Sequence, residues 1–330
     1  MHERFVDLLC CPKTSELLSL RVFERRSNGL VVSGELVAQS GITYPIIRGI
    51  PRFVEQEQYA SSFGYEWNRW PRVQFEAENR GRPMAGYTTT MWERITGITH
   101  ESLCDQTIVE FGCGPGRFLD VVRRKGGIAV GLELSAAVEA ARANFADDSD
   151  VLIVQGDVLN PPFRENAFDG GYSIGVLHHT PDPVRGLGML VRVVRKEGWV
   201  SCCVYPKGEF YDYRSVARTR NMHNRLKSLV GYRFATAYAH LSAYLLSPAL
   251  AKVKAIPGMK KFVEYLERNW IVSLPLADVN WRLLDIFDAI TPEIATTHTG
   301  GELRSWMVAA GCRDIRSMDW GSTAFVGIKA

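Results

Sequence analysis

Between residues 106 and 206 the chain alternates short apolar runs with segments of helical spacing. TIVEFGCG, IAVGLEL, VLIVQGD, FDGGYSIGVLHH and GWVSCCVYP are the apolar runs, the fourth extending from Phe168-Asp169 to about Leu177. GRFLDVVRRKG, SAAVEAARANFA and PVRGLGMLVRVVRK lie between them with helical periodicity. Strands apolar throughout, alternating with helices, predict a parallel sheet covered on both sides, with ligands at the carboxyl ends of its strands. Near the end of the chain, Gly300-Gly301 open a helix to Ala310, and about Asp314 to Met318 and Thr323 to Lys329 read as two further strands.

The first run ends in VEFGCGPGRF, Val109 to Phe118. Its glycines Gly112, Gly114 and Gly116 allow a tight turn and a close approach of ligand to backbone. A dinucleotide fingerprint needs its last glycine where Arg117 stands, and Pro115 disfavours a phosphate cradle. Glu133 closes the second run, where a carboxylate can accept both ribose hydroxyls. Asp157 closes the third, within reach of an adenine amino group.

In order and spacing, VEFGCGPGRF, GLELS, VQGDVLNPPF and FDGGYSIGVLHHTPDP resemble the class I S-adenosylmethionine-dependent methyltransferases over roughly residues 106–206. The resemblance implies an α/β fold with a doubly wound, mostly parallel, seven-stranded Rossmann-like sheet, closed by the terminal strand pair. It implies S-adenosyl-L-methionine as cofactor, S-adenosyl-L-homocysteine as product and no metal. Gly112, Gly114 and Gly116 would wrap the methionine part, Glu133 would hold the ribose, Asp157 and Val158 would flank the adenine, and Glu110 would brace the turn. Cys113, Leu134 and Ser173 are further expected neighbours of the cofactor. Adenine-amino methylases carry an Asn-Pro-Pro-aromatic string just after the fourth strand. Here Asn160-Pro161-Pro162-Phe163 precedes that strand, so it reads as turn chemistry.

The flanks have their own character. Residues 1–58 read as two short strand pairs similar to a zinc-ribbon module, but only Cys11 stands at a ligand position, with Thr14, Val37 and Ser40 at the others. A structural zinc site needs four good ligands. The expectation is a metal-free module held by Leu8, Leu18, Leu36, Tyr44 and Ile47, with Cys10 in its core. Residues 59–105 carry Phe63, Tyr65, Trp67, Trp70, Phe75 and Tyr87, expected as an aromatic lid or as packing against the main domain. A similar Phe-Gly-Tyr-x-Trp segment precedes the glycine motif in a bacterial branch of these methyltransferases. Residues 207–289 read as a helical cap over the substrate cleft, and 290–330 as the helix and strands that complete the core.

Composition narrows the setting. The 330 residues are 46% hydrophobic and 23% charged, as in an ordinary folded protein, and the formal charge of +3 does not by itself announce a nucleic-acid binder. Seven scattered cysteines suit reduced thiols, and no secretory leader is legible at the N-terminus, so a cytoplasmic protein is expected. Residues 207–268 nevertheless hold 12 Lys or Arg against 4 Asp or Glu, next to the uncharged run 234–251. Pro248 and His240 make that run a poor spanning helix. A solvated face, a phosphate-bearing substrate or peripheral contact with an anionic membrane through 234–261 are the readings.

Methyl transfer from a sulfonium needs alignment and exclusion of water, and a base only for a weakly acidic acceptor. His179 and His178, at the end of the fourth strand, are the candidate bases, with His298 in reserve. The expected function is methyl transfer to a small-molecule, sugar or lipid-linked acceptor, oxygen favoured. The alternatives are an RNA methyltransferase, disfavoured because no RNA module is recognised, and a non-catalytic cofactor-binding partner of another enzyme.

Overall fold

The computed structural model describes residues 1–55, 58–99 and 102–330. Four antiparallel strands form the first unit: β1 (Leu18–Arg25), β2 (Val31–Ala38), β3 (Thr43–Ile47) and β4 (Ile50–Pro51), in that order across one sheet. Three helices follow: α1 (Ser61–Arg69), α2 (Glu76–Asn79) and α3 (Tyr87–Thr96). The expected α/β alternation then runs β5 (Thr107–Phe111), α4 (Arg117–Arg124), β6 (Ile128–Glu133), α5 (Ala137–Asn144), β7 (Val151–Gln155), β8 (Phe168–Ile174), α6 (Pro183–Val193) and β9 (Val194–Cys203).

A cap comes next: α7 (Arg214–Val230), α8 (Arg233–Leu241), a π turn at Ser242–Leu246, α9 (Ser247–Lys254), α10 (Lys260–Asn269) and α11 (Val279–Ile290). Helix α12 (Gly300–Ala309) and strands β10 (Cys312–Ser317) and β11 (Ala324–Lys329) close the chain. The large sheet has seven strands in the order β10-β11-β9-β8-β5-β6-β7. Strands β5 to β9 are mutually parallel, while β11 runs antiparallel to β9 and to β10. This is the doubly wound, Rossmann-like methyltransferase sheet implied by the motifs. The parallel strands are apolar throughout because both faces are covered: Val109, Phe111, Val130, Leu132 and Val154 are fully buried.

One face is covered by α3, α4 and α5. The other is covered by α6, α12 and the small N-terminal sheet, whose Phe5, Leu9, Leu36, Tyr44 and Ile46 share one apolar cluster with Val130, Leu132, Val154 and Phe163. The crossover from β7 to β8 contains no helix, and the small sheet shields the face that a crossover helix would cover. Asn160–Phe163 is the docking loop: Cys10 N donates to Pro162 O at 3.0 Å, Leu9 pairs with Phe163, and Phe163 is fully buried. At the sheet edge Phe53 N donates to Gln155 O at 2.8 Å, and the Arg52 guanidinium reaches Gln155 and Glu139 at 2.6 and 2.5 Å.

Two details of the module differ from the expectation. It is one continuous sheet, not two separate strand pairs. Ile46, not Ile47, enters its core, because the strand alternates Tyr44 in, Pro45 out, Ile46 in, Ile47 out, leaving Ile47 46% exposed. Leu18, Leu36 and Tyr44 are buried, Leu8 partly, and Cys10 is buried as well. The Cys11 thiol lies 3.1 Å from the Tyr44 hydroxyl. Among the described residues no group of three or more His, Cys, Asp or Glu is placed to hold a metal ion.

Candidate functional site

A cavity of about 460 Å³ opens over the carboxyl ends of β5, β6, β8 and β9, roofed by α1 and α11. Its size falls in the range of roughly 300–1,000 Å³ usual for small-molecule sites.

The glycine turn forms one wall. Gly112 has φ +77°, and a Cβ there would overlap the Val176 side chain. Gly114 has φ +51°, and a Cβ there would stand 3.1 Å from Trp67 Nε1, so the turn and the roof fit only because the side chains are absent. Cys113 contributes to the wall, but its thiol packs toward Gly131 of β6, and burial pushes its pKa well up. Gly114 N–H donates to Glu133 Oε2 at 3.0 Å, while Ser135 N and Oγ donate to Glu133 Oε1 at 2.9 and 2.7 Å. A carboxylate has about four acceptor sites. One therefore stays open to a further donor.

Leu134 and Val158 also line this half. Asp157 does not: it accepts from Leu159 N at 2.8 Å and from the Tyr59 hydroxyl at 3.4 Å, and Tyr59 is the residue that faces the cavity. Glu110 reaches the cavity and accepts from the Tyr172 hydroxyl at 3.1 Å, with burial holding its carboxyl well above the usual range. Ser173 is fully buried within the sheet, where its hydroxyl donates to Phe111 O at 3.0 Å and ties β8 to β5.

The lid residues divide by helix phase. Phe63, Glu66 and Trp67 stand at i, i+3 and i+4 on α1 and face the cavity. Tyr65 and Trp70 turn into the cap, with Tyr65 stacked on Tyr232 at 4.4 Å and Trp70 edge-on to Phe287 at 5.2 Å. Tyr87 lines the cavity between Trp281 and Trp320.

The histidines also separate. His179 lines the cavity at 4% exposure, and its Nδ1 donates to Ile294 O at 2.8 Å. Its Nε2 has no partner, and burial lowers its pKa to about 3, so the ring is neutral with a free lone pair. His178 is fully buried behind it, 3.7 Å from the Tyr205 ring, and its Nδ1 accepts from Tyr205 N at 3.3 Å. His178 is not on the cavity wall, and neither is His298, which bonds Thr296 Oγ1 at 2.8 Å and packs edge-on against Trp306.

Sequence reasoning missed a polar group on the opposite wall: Glu66, Gln74, Arg117, Asp285 and Asp288, with Tyr205 and Tyr211. Asp285 and Asp288 lie at i and i+3 in the apolar second half of α11, LLDIFDAI, and two acids in so apolar a stretch were the available signal. Asp288 accepts from the Tyr205 hydroxyl at 2.5 Å, and Tyr205 stacks on Tyr211 at 3.4 Å. Burial raises Asp285 to about 7 and Asp288 above the usual carboxylate range. Burial, followed by the charges of Asp288 and Asp285, raises Glu66 well above its ordinary value.

The comparisons concern this same core. Residues 109–202 match the family model of the methyltransferase domain. The chain is 27% identical over 167 residues to the 24-methylenesterol C-methyltransferase 2 of Oryza sativa subsp. japonica, covering 47% of this chain and 46% of that one. It is 26% identical over 122 residues to the demethylmenaquinone methyltransferase of Corynebacterium kroppenstedtii, covering 37% and 52%. It is likewise 26% identical over 117 residues to the tRNA (carboxymethyluridine(34)-5-O)-methyltransferase of Arabidopsis thaliana, covering 34% and 28%. The chain thus spans about half or less of the curated relatives it matches. Among solved structures, a chain from the complex of the Haloferax volcanii Trm112 methyltransferase activator with a methyltransferase aligns with TM-score 0.45 and 16% identity, over 81% of this chain and 97% of that one. The glycine turn, the seven-stranded sheet and the family match over residues 109–202 together identify a class I S-adenosylmethionine-dependent methyltransferase domain in this chain.

Proposed function

We propose that the chain transfers a methyl group from S-adenosyl-L-methionine to a small-molecule, sugar or lipid-linked acceptor. The observation that supports this reading is the roofed cavity, which joins the glycine turn and Glu133 on one side to His179, Tyr205 and α11 on the other. In this reading Gly112 and Gly114 admit the methionine part to the backbone, Glu133 takes the ribose, and Leu134 and Val158 flank the adenine; Gly116 is off the cavity wall, where a Cβ would meet Phe145. Asp157 acts through the Tyr59 hydroxyl. The residues fit the group, because Gly112 and Gly114 bring bare backbone to the cavity wall and Glu133 keeps acceptor capacity toward it.

When bound, S-adenosylmethionine supplies a methyl carbon already activated by its sulfonium. The protein aligns the acceptor and excludes water. Phe63 and Trp67 close the roof. His179 Nε2 accepts a hydrogen bond from the acceptor and orients it, with His178 bracing the ring from behind. A pKa of about 3 makes His179 a poor store for a proton at neutral pH, so its part is positioning. A roofed cavity suits a small acceptor better than a polynucleotide.

A second observation concerns the cap. Leu241, Tyr244 and Leu245 are exposed at i, i+3 and i+4 along α8 and the π turn, and Ile256 and Phe262 extend the apolar surface beyond α9. Lys252, Lys260 and Lys261 lie beside it in sequence, while Lys254 is spent on Glu267 at 3.0 Å. We propose peripheral contact of this surface with an anionic membrane. No helix among the described residues is long and apolar enough to cross one.

Calorimetric titration with S-adenosylmethionine and S-adenosylhomocysteine tests the main reading, with NADH and Glu133→Ala as controls. Micromolar binding that the variant weakens about ten-fold, the worth of one charge-assisted hydrogen bond, is expected. Absence of binding by the wild type overturns it. Binding without turnover across an acceptor screen favours a non-catalytic partner, and salt-sensitive RNA binding lost with the 207–268 charges favours an RNA substrate.

A further inference from the structure

The acceptor half of the cavity has a one-sided polar character. Four buried side-chain atoms on its wall have no hydrogen-bond partner: Glu66 Oε1 and Oε2, Gln74 Oε1 and His179 Nε2. With Glu66 ionised, as a bound cation would hold it, each is an acceptor. Gln74 spends its amide nitrogen on Asp285 Oδ1 at 3.3 Å, leaving its carbonyl oxygen, and His179 spends Nδ1–H on Ile294 O, leaving a lone pair. Glu66 is fully buried, on the cavity face of α1 between Phe63 and Trp67. A ligand that satisfies this wall must bring several donors to a small space.

Charge points the same way. The cavity wall carries six carboxyl side chains and one guanidinium, Arg117. Glu110 and Glu133 are engaged by Tyr172 and by Gly114 with Ser135, on the glycine-turn side. Arg117 opens α4, and its charge acts first on Asp285 of the acid wall. Glu66, Asp288 and Glu209 exceed it in number, with Trp67 and Tyr211 on the same wall, and since burial raises Glu66 and Asp288 a bound cation is what would hold them ionised. An ammonium brings three donors, no acceptor and a positive charge, and aromatic faces add to its binding. A hydroxyl brings one donor and leaves the charge uncompensated.

We infer that the methyl acceptor carries a basic nitrogen, bound as an ammonium by Glu66, Asp285 and Asp288 against the aromatic wall. The inference rests on the methyltransferase reading and names the acceptor chemistry of the same cavity. It makes the amine the recognition element, whichever atom receives the methyl group.

The test uses three fragments that share one ring: benzylamine, benzyl alcohol and benzoate. Their affinities for the full chain are measured by ligand-observed NMR, with and without saturating S-adenosylhomocysteine. Benzylamine is expected to bind about ten-fold or more tightly than the alcohol, the worth of a hydrogen bond to a charged group. Glu66→Gln and Asp288→Asn each abolish that preference, while affinity for S-adenosylhomocysteine stays within about two-fold, less than one neutral hydrogen bond is worth. Thermal melts of both variants confirm folding, and Glu66→Gln removes a buried, unpartnered acid and so melts no lower than the wild type. Equal binding of amine and alcohol, tighter binding of benzoate at Arg117, or a preference unmoved in both folded variants overturns the inference. Failure of S-adenosylhomocysteine to bind is a separate result that overturns the methyltransferase reading, and the fragment order measured without it still decides this one.

Discussion

The Tyr205 hydroxyl donates to Asp288 Oδ2 at 2.5 Å and so joins the end of β9 to helix α11 of the cap across a sequence separation of 83 residues. The same tyrosine stacks on Tyr211 and packs at a tilt against His178, and its backbone N–H holds the His178 ring. One side chain therefore couples the cap, the acceptor wall and the histidine pair.

Tyr205→Phe removes that donor and leaves Asp288 short of a partner. A buried acceptor stripped of its donor costs about 1–3 kcal/mol. The expected outcome is a lower melting temperature and weaker acceptor binding, with S-adenosylhomocysteine affinity unchanged, since the glycine turn is on the other side of the cavity. Calorimetry on the two ligands checks the split; an equal loss in both shows that the tyrosine holds the whole fold rather than the acceptor half.

Asp285 gives stability a pH dependence of definite sign. Burial raises its pKa from an ordinary value of 3.8 to about 7 in the folded chain. Between those values the folded state binds more protons than the unfolded state, so stability falls as pH rises from about 4 to about 7. The slope is at most about 1.4 kcal/mol per pH unit for one group. Asp285→Asn is expected to flatten this part of the urea-denaturation profile. A profile identical to the wild type assigns the slope to Glu66 or Glu110, whose carboxyls are raised by burial as well.

The docking loop makes a stability prediction of its own. Phe163 is fully buried between Phe168, edge-on at 5.1 Å, and Phe111 at 6.5 Å, where the small sheet covers the helix-free crossover. Phe163→Ala is expected to cost about 3–5 kcal/mol. It also opens residues 1–55 to limited proteolysis before the core is cut. Simultaneous cleavage of both parts shows instead that module and core unfold as one unit.

These positions show what the sequence carries and what it leaves out. The apolar runs reported the sheet because strands buried on both faces permit little else. The terminal pair, read as Asp314 to Met318 and Thr323 to Lys329, is Cys312–Ser317 and Ala324–Lys329. The glycines at 112 and 114 were legible because their local backbone demands them. Asn160–Phe163 was legible as a loop but not as a dock, since its partner, the Leu9-Cys10 segment, lies about 150 residues away in sequence. The acid wall was hidden for the same reason. Glu66 and Asp288 meet only through the packing of α1 against α11, and neither segment alone shows that its acid faces a cavity. Helix phase decided the lid: Phe63 and Trp67 face in while Tyr65, between them in sequence, faces the cap.

The cap supplies the last prediction. Pro248 lacks the N–H that an α-helix would use and crowds the preceding turn, and the chain passes into it through the π turn at Ser242–Leu246, where Ser247 N–H bonds Ser242 O. The rod that results turns Ala243 and Leu250 inward and leaves Leu241, Tyr244 and Leu245 exposed, 46%, 53% and 63% respectively. A solvated face has no use for that stripe, whereas an interfacial helix places it below the headgroups with lysines beside it. Cosedimentation with vesicles rich in phosphatidylserine is expected, weakened by salt and absent with neutral vesicles. Each lysine near such a surface contributes about 1 kcal/mol. Replacing Lys252, Lys260 and Lys261 together by Gln therefore lowers partitioning by about two orders of magnitude. Leu245→Ser lowers it without changing the salt dependence. Binding to neutral vesicles, or loss of the stripe's exposure in a concentration-dependent dimer, assigns the surface to hydrophobic lipid contact or to a second copy of the chain and overturns the anionic-membrane reading.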